Sequence, residues 1–406
     1  MSRKKLLQSR PKGAALALML IALVMSFVMG VGLLRLGLQS RVYGARTSAD
    51  IAARCAADAA MTKAVFEMNE KLKVQPWDDS VLPQATDKTL LNCDEIFSYT
   101  VTGDVNSGYI IESIGKSGQA ERRASSTLRL QTPFEYAVFA LQSIYMENGT
   151  VVDWYNYDAD DRNLQIGTNS TEPGSIIIKS GATVNGDVVV GVGGNPDVVI
   201  DAAWATITGR TYAATGSYEF PPVIVPEQLQ QSTSQGAIKN IKNDMTITCS
   251  GKYDEINLGN GEVITINGQV TLYITGDIII KNSARIEVVD ANTNPDAYLI
   301  LYLGGNVEVK YNGAINNLAG EAKKVKIYGL DGCQSILLKN STAFYGTIYA
   351  PNANVSFENG ADAFGSVAAK VFEQKNAAAF HYDASLRDAS ADDGGLCFTV
   401  EQWQEE

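Results

Sequence analysis

The sequence predicts a mainly β protein built from a long N-terminal transmembrane helix, a small antiparallel sheet and a parallel β-solenoid (β-helix). Three observations support this: an uncharged apolar run, then segments that alternate apolar and polar residues, then short apolar runs punctuated by glycine. We expect six segments: a cytoplasmic basic leader (1–13), the transmembrane helix (14–34), a helical extension (35–75), a small β region (76–132), the β-solenoid (133–388) and an acidic C-terminal tail (389–406).

The apolar run from Ala14 to Leu34 has the length of a membrane-spanning helix. It carries no charge, and Ser26 is its only polar side chain. A helix of this length covers roughly 30 Å, the thickness of the hydrocarbon core of a bilayer. The alternative is a cleaved secretory signal, whose apolar core is usually about 7–15 residues. The longer run, with helical sequence continuing beyond it, favours a retained anchor.

The distribution of charge predicts the orientation of this anchor. The first 13 residues contain five basic and no acidic side chains, namely Arg3, Lys4, Lys5, Arg10 and Lys12. Such a flank favours a cytoplasmic N-terminus. The net charge is −12 although residues 1–46 are basic, so the remainder is strongly acidic. We expect a single-pass protein of the cytoplasmic membrane with its bulk in the periplasm or at the cell surface. Without a basic stripe past residue 46, nucleic acid is not an expected partner.

Helical sequence continues past the span, with no proline before Pro76. A stripe of alanines recurs at spacings of three and four residues, as one helix face requires; it comprises Ala45, Ala49, Ala52, Ala56 and Ala59. Small side chains let another backbone approach closely. Two interpretations stay open: the stripe packs on the protein's own later domain, or it mediates helix–helix assembly with other subunits.

Three alternating segments follow the helix: FSYTVTGD (97–104), SGYIIESIG (107–115) and ASSTLRLQ (124–131). They predict a small antiparallel sheet. The stretch RPKGAALALMLIALVM (10–25), the alanine-rich continuation and IESIGKSGQAERR (111–123) resemble the N-terminal region of PilX-type pilus assembly proteins. The resemblance covers roughly residues 8–130 and implies a membrane-held, pilin-like subunit. With Gly13 as the processed glycine, Leu18 stands where pilins usually carry Glu.

From Pro133 onward, related short runs recur. VNGDVVV (184–190), ITGDIII (274–280) and INGQVTL (266–272) share one pattern, and Gly329, Gly346 and Gly365 mark later copies. Intervals of about 17–25 residues favour a parallel β-solenoid. We expect Ile279, Ile348 and Val367 to be stacked apolar positions in its core. An antiparallel sandwich is the alternative.

This part has its own resemblance, covering about residues 134–388. The segments PFEYAVFA (133–140), YLILYLGG (298–305), FYGTIYAPNANV (344–355) and AAFHYDASL (378–386) resemble an uncharacterised β-helical domain of bacterial surface proteins. That resemblance implies the fold and the location, and no chemistry.

The residues that could carry chemistry favour a structural protein. His381 is the only histidine and is expected to pack or hydrogen-bond near the last turn of the solenoid. The five cysteines form no CxxC pair, so no metal site is expected, and one or two disulfides remain open. Two acidic runs, Asp158–Asp160–Asp161 and Asp392–Asp393, lack the spacing of a calcium loop and predict solvated surface. The glycine-rich GVGGNPD (191–197) predicts a tight turn rather than a phosphate loop.

Trp154, Tyr155 and Tyr157 predict either an end cap of the solenoid or a platform on which sugars stack. We expect no catalytic residue, cofactor or metal, and therefore no enzyme. The expected role is a membrane-anchored, pilin-like structural component of a type IV pilus or type II secretion-like system, with other subunits as partners. The alternatives are an adhesin that binds a surface glycan and a polysaccharide lyase or hydrolase. The sequence argues against such an enzyme because Lys281, Arg285 and Lys310 look too scattered to form a basic cluster.

Overall fold

The computed structural model describes residues 14–74, 77–90, 93–105, 107–156, 164–242, 244–316, 318–387 and 396–405. The chain divides into two compact units. The first comprises the described residues up to Met68, Asp79–Arg129 and those from Val400 onward. The second comprises the described residues of 69–78 and 130–399. The basic leader, Pro76, Tyr157 and both acidic runs singled out in the sequence lie outside the described residues.

Helix α1 spans Ala14–Leu72, as the proline-free sequence predicts. Its first half is exposed from Ala15 to Thr47 except for the half-buried Gly30. Among the described residues, this is the one helix long and apolar enough to cross a membrane. Apolar side chains that stay exposed need another apolar medium. The helix therefore has the composition of a membrane anchor or a signal sequence.

The second half of α1 packs on the small sheet of its own unit. Its fully buried face is made of small residues followed by methionines, namely Ala53, Ala56, Ala57, Ala60, Met61, Ala64 and Met68. The helix approaches so closely that a Cβ added at Gly115 would lie 2.0 Å from the carbonyl oxygen of Ala53. Arg122 on the sheet forms an ion pair with Asp50 at 2.5 Å.

This contact corrects the predicted stripe in part. Ala56 is buried, but Ala45 is exposed and Ala49, Ala52 and Ala59 are half-buried. Alanines also occupy the helix face next to the predicted one. The buried face is therefore displaced by about one residue from the stripe that periodicity predicted. Self-packing is observed for this segment, and the surface it meets is the small sheet of the same unit.

The small sheet is antiparallel, as predicted. Its first four strands are β1 (Gln84–Thr89), β2 (Ile96–Asp104), β3 (Gly108–Ser117) and β4 (Ala120–Gln131). They pair in sequence order, and the chain's last strand, Cys397–Glu405, completes the sheet beside β4. β1 and the last strand were not predicted from the sequence, and the last strand lies in the segment expected to be an acidic tail.

The second unit contains a 25-stranded sheet. Its strands are β5 (Val138–Met146), β6 (Val151–Tyr155), β7 (Gln165–Thr168), β8 (Ile176–Ile178), β9 (Thr183–Val184), β10 (Asp187–Val190), β11 (Ile200–Asp201), β12 (Thr206–Ile207), β13 (Thr211–Ala213), β14 (Ile238–Lys239), β15 (Met245–Ile247), β16 (Gly251–Tyr253), β17 (Ile256–Leu258), β18 (Val263–Ile266), β19 (Gln269–Ile274), β20 (Ile278–Lys281), β21 (Arg285–Val288), β22 (Tyr298–Leu303), β23 (Val307–Lys310), β24 (Ala314–Ile315), β25 (Val325–Gly329), β26 (Ser335–Lys339), β27 (Ala343–Glu358), β28 (Asp362–Lys375) and β29 (Ala379–Asp383). The last strand of the chain is β30 (Cys397–Glu405). Only two short α-helices, α2 (Pro196–Val199) and α3 (Glu227–Gln231), occur in the described part of this unit.

Pairing within this sheet is parallel and repeats every three strands. From β14 to β24, each strand pairs with the third strand after it, for example β17 with β20 and β20 with β23. We call one set of three consecutive strands a repeat and the bends between its strands corners. The parallel pairings exclude the antiparallel sandwich.

The order of the repeats in space differs from their order in the chain. Strands β5 and β6 pair with β28 and β29 on one side and with β7 to β9 on the other. The first repeat of the unit therefore lies between its second and its last. The connection after β13 reaches the far end of the stack, where β14 begins the return.

Inward side chains form one continuous apolar core. Ile348 and Val367, predicted to be buried, are fully inaccessible. Ile279 was predicted wrongly: it points outward and is half-buried, whereas Ile278 and Ile280 on either side of it are buried. Successive strand residues face opposite sides, and three consecutive isoleucines give no sign of which side is the core.

A column of tyrosines is covered by the segment that follows β13. Tyr302, Tyr328 and Tyr349 occupy equivalent positions on neighbouring repeats. Phe220 stacks on Tyr349 with ring centroids 5.6 Å apart, and the Tyr349 hydroxyl donates a hydrogen bond of 2.7 Å to the Pro221 carbonyl. This segment shields one outer face of the sheet from water.

Candidate functional site

One corner of the repeats is built from residues in the left-handed conformation. On six neighbouring repeats it consists of a pair of residues, namely Asn260–Gly261, Asn282–Ser283, Tyr311–Asn312, Asn340–Ser341, Asn359–Gly360 and Asn376–Ala377, all with positive φ. Asparagine tolerates this conformation better than most residues. Its amide also links repeats: Asn376 donates to Asn359 at 2.7 Å, and Asn359 donates to Asn340 at 3.0 Å. We call this the asparagine corner.

A groove of about 450 Å³ lies at the asparagine corner. Ser283, Asn312 and Ser341 line it on three neighbouring repeats, together with Arg285 and small residues such as Ala343. The backbone amides of these three corner residues donate to carbonyls of the next repeat, at 2.9 to 3.1 Å. Their side chains make no hydrogen bond with a described residue and face solvent.

Basic residues that are separated in sequence meet beside this groove. Lys281, Lys310 and Lys339 are register partners on consecutive repeats. Glu308 accepts a hydrogen bond of 2.8 Å from Lys310 and lies 3.7 Å from Lys339. The Lys310 hydrogen bond lowers the pKa of the Glu308 carboxyl. Lys281 forms no ion pair with a described residue.

Arg285 follows Lys281 round the corner and borders the groove. Its ion pair with Glu287 is long at 3.9 Å, and its side chain is 48% exposed. The interpretation that these basic residues are scattered is therefore corrected for Lys281 and Lys310, which are register partners. Parallel pairing brings together residues about 29 positions apart, which a linear reading of the sequence misses.

A second cluster lies on the outer surface of β27, β28, β29 and β6. Tyr345 stacks on Phe364 at 4.2 Å, and Phe364 stacks on His381 at 4.6 Å. Tyr155 packs edge-on against Phe364 at 5.0 Å and donates to the Gly320 carbonyl at 3.1 Å. The rings cover one another's faces, so this row is packed rather than an open platform for sugars.

The end-cap interpretation of Trp154 and Tyr155 is also wrong. Their strand, β6, pairs on both sides and lies inside the stack. Trp154 packs against Tyr382 at 5.6 Å and under the Arg387 guanidinium at 4.8 Å.

His381 makes hydrogen bonds, as predicted, and it does so where the first and last repeats meet. Its Nδ1 bonds Asp153 on β6, and its Nε2 bonds Asp362 on β28 at 2.9 Å. Burial disfavours its charge, but hydrogen bonds and attraction from the two carboxylates outweigh this and raise the pKa of His381 to about 9. His381 is therefore a cation at neutral pH that joins three neighbouring strands.

The recurring Gly-Asp motif has a structural role. The Asp187 carboxylate accepts from the amide of Arg210 at 2.7 Å, and the Asp277 carboxylate accepts from the amide of Asn306 at 2.8 Å. In both cases a glycine precedes the donor, because a Cβ at Gly209 would lie 2.3 Å from the carboxylate of Asp187. The motif thus ties one repeat to the next.

The remaining candidates have structural roles as well. Residues 191–197 turn the chain between β10 and β11, as predicted, and α2 begins among them at Pro196 with Asn195 as its N-cap. All five cysteines lie in the described part of the chain and are free, with Cys333 and Cys397 buried. No group of three or more His, Cys, Asp or Glu side chains in the described ranges is arranged to hold a metal ion.

Solved structures that resemble the chain do so weakly. The DUF3494 domain of an ice-binding protein from Shewanella frigidimarina is 17% identical with a TM-score of 0.34, covering 61% of this chain and 93% of that one. The competence-associated pilin ComZ from Thermus thermophilus is 12% identical with a TM-score of 0.23, covering 88% and 97%. An ice-binding protein from an Antarctic bacterium, Flavobacteriaceae, is 11% identical with a TM-score of 0.24, covering 61% and 79%.

No curated protein sequence matches the chain. Residues 205–389 match a family described as a domain of unknown function, DUF7305. The matched segment begins just before β12. It includes the asparagine corner, the groove and His381. It is similar to a family with no described activity.

Proposed function

We propose that the chain is a membrane-anchored, pilin-like structural component of a type IV pilus or type II secretion-like assembly of the PilX type. In this proposal α1 is retained in the cytoplasmic membrane with its N-terminus inside. The second unit is a β-solenoid displayed in the periplasm or at the cell surface.

The observation that carries the proposal is the division of α1 into two halves. The first half leaves large apolar side chains such as Leu23 and Phe27 70% exposed. The second half is buried against β2 to β4 through alanines that allow close contact. A helix anchored at one end on a folded sheet and bare at the other suits a subunit that places its free half in lipid or against other subunits.

Exposed apolar residues continue beyond the predicted span and support a role in assembly. Leu38 is 61% exposed, Val42 48% and Tyr43 65%. These positions follow Leu34, where the span expected from the bilayer thickness ends. Contact with helices of other subunits is the simplest way for them to leave water.

The second unit supports the proposal as a rigid display element. Parallel pairing with a period of three strands is the arrangement of a β-solenoid, in which each repeat buries the faces of its neighbours. Its single histidine is engaged by two carboxylates at the junction of repeats. We accordingly propose a structural rather than an enzymatic role.

The proposal is tested by topology and by cross-linking in cells. A C-terminal alkaline phosphatase fusion should be active, and the protein should stay in the membrane fraction after carbonate extraction. A photo-reactive residue replacing Val42 should give cross-links to other membrane subunits or to second copies. The same residue replacing Lys88, which is exposed on β1, serves as the matched control.

Activity only from a cytoplasmic reporter would refute the orientation. Release of the protein by carbonate would refute the retained anchor. Cross-linking from Val42 no greater than from Lys88 would refute assembly through the helix.

A further inference from the structure

The groove at the asparagine corner combines backbone strain with polar side chains that have no hydrogen-bond partner among the described residues. Ser283, Asn312 and Ser341 have φ of 64°, 62° and 60°. Glycine, which adopts this conformation without strain, occupies the equivalent position at Gly261 and Gly360. Serine is a less favourable choice than glycine here on conformational grounds. Strained polar residues that persist where glycine is available point to a role outside folding.

Arg285 supplies a guanidinium whose one contact with an acid in the described part of the chain is the 3.9 Å approach to Glu287. Oε1 of Glu287 faces the Arg285 Nε at this long distance, and Oε2 of Glu287 accepts a hydrogen bond of 2.6 Å from the amide of Leu318. A guanidinium fork matches the two oxygens of a carboxylate. Because Arg285 lines the groove, a carboxylate bound to its guanidinium would lie at a fixed position in the groove.

The lysine column extends this positive surface along the stack. Neighbouring parallel strands are about 4.8 Å apart, so Lys281, Lys310 and Lys339 form a row parallel to the stack axis. Glu308 offsets one of their charges and leaves the row cationic on a chain whose net charge is −12. Such a row attracts a ligand that carries negative charge at more than one point.

We propose that this groove binds an acidic oligosaccharide, with a uronate carboxylate on Arg285 and sugar hydroxyls on Ser283, Asn312 and Ser341. The volume of about 450 Å³ lies in the range of small-ligand sites. Tyr311, which directly precedes Asn312, is 52% exposed and offers a ring on which a sugar face stacks. The inference does not depend on the membrane assembly role.

The lining favours a saccharide over a nucleic acid. Two hydroxyls and a carboxamide match the alternating donors and acceptors of sugar hydroxyls. Single-stranded nucleic acid is held mainly by successive aromatic side chains along a basic channel. The described residues that line the groove contain no aromatic ring, and Tyr311 is a single ring beside it.

The test uses the full-length protein in detergent and calorimetric titration with tetragalacturonate. Its methyl ester is the neutral control, and a single-stranded DNA oligonucleotide of equal charge is the polyanion control. We expect binding of tetragalacturonate that weakens with salt, and at least 10-fold weaker binding of the other two, about what one charge-assisted hydrogen bond contributes. Absence of binding, or equal binding of the ester or the oligonucleotide, would overturn the proposal.

Variants separate the groove from general charge. Arg285→Gln should weaken tetragalacturonate binding by about 10-fold or more, and Arg285→Lys should restore only part of it because the fork is lost. Lys239→Gln removes one exposed charge on β14 and is the matched control, expected to change affinity less than about twofold. Equal losses in Arg285→Gln and Lys239→Gln would refute a defined site.

Ser283→Gly gives a readout that a purely structural corner would not produce. Removing the Cβ relieves the left-handed strain, so the melting temperature should stay the same or rise while tetragalacturonate affinity falls by several-fold. Unchanged affinity in this variant would contradict a role for the serine in binding. If affinity and melting temperature both fall, the lower affinity is explained by impaired folding. That result would also contradict a role for Ser283 in binding.

Discussion

Replacing Gly115 with Ala should separate α1 from the sheet on which it packs. Gly115 lies in β3 between Phe97 and Arg122 on the neighbouring strands. An alanine Cβ there would lie 2.0 Å from the carbonyl oxygen of Ala53 and 2.3 Å from the amide nitrogen of Ala57. Both atoms belong to helix backbone, which cannot rotate away as a side chain can.

The expected cost follows from the displacement that the helix needs. Restoring an ordinary contact of 3.4 Å requires the helix to withdraw by roughly 1.4 Å. A radial gap of about 0.5–1 Å already forfeits a quarter to a half of the dispersion attraction, and the whole buried face from Ala53 to Met68 would lose contact together. Overpacking usually costs about 1–3 kcal/mol, and we expect the upper end of that range.

The assay is thermal melting of the full-length protein in detergent, combined with limited proteolysis of α1 beyond residue 50. Gly44→Ala is the matched control because it lies in the same helix with nothing within 4 Å of its added Cβ. That change should be neutral or stabilising by up to about 1 kcal/mol. A Gly115→Ala protein that melts like the parent and resists protease equally would refute the packing of α1 on β3.

Three further outcomes are expected. Ile348→Ala should destabilise the protein by about 2–5 kcal/mol, whereas Ile279→Ala, which is only half-buried, should cost clearly less in the same melting assay; equal costs would contradict the register. Asp187→Ala should lower the free energy of unfolding by about 1–3 kcal/mol, because the amide of Arg210 loses its buried hydrogen-bond acceptor; an unchanged denaturation midpoint would contradict this. Because the pKa of His381 is raised to about 9 from 6.5, its stabilising effect should be complete below pH 6.5 and lost as pH rises through about 9; a profile unchanged in His381→Asn would contradict the link.

Local patterns in the sequence predicted the elements of this fold well. The helix follows from an uninterrupted apolar and alanine-rich run, and three of the five strands of the small sheet follow from alternation. The Gly346 and Gly365 copies are register partners, as their shared sequence suggested. Gly329 is not part of that register, since its strand pairs Tyr328 with Tyr349.

Long-range pairing accounts for what the sequence did not predict. Nothing local indicates that β5 pairs with β28, whose partner residues lie about 230 positions apart. The groove has the same origin, because its lining comes from corners on several repeats. Asparagine, serine and glycine at these corners read as ordinary turn residues, and only the parallel register shows that Ser283, Asn312 and Ser341 stand in a row.

Because the first repeat lies between the second and the last, the stability of the second unit depends on its C-terminal strands. In a linear array of repeats, each contacts only its neighbours and the terminal one can be lost without opening the centre. Here the last repeat in the chain contacts the first, and β6 reaches β28 and β29 through Asp153 and His381. Removing β28 and β29 would take Phe372 and Phe380 out of the core and expose Phe357 on β27, which packs against both and is fully buried. The unit therefore reaches its stable state only when its C-terminal strands have joined, and the cationic His381 lies at the junction where that happens.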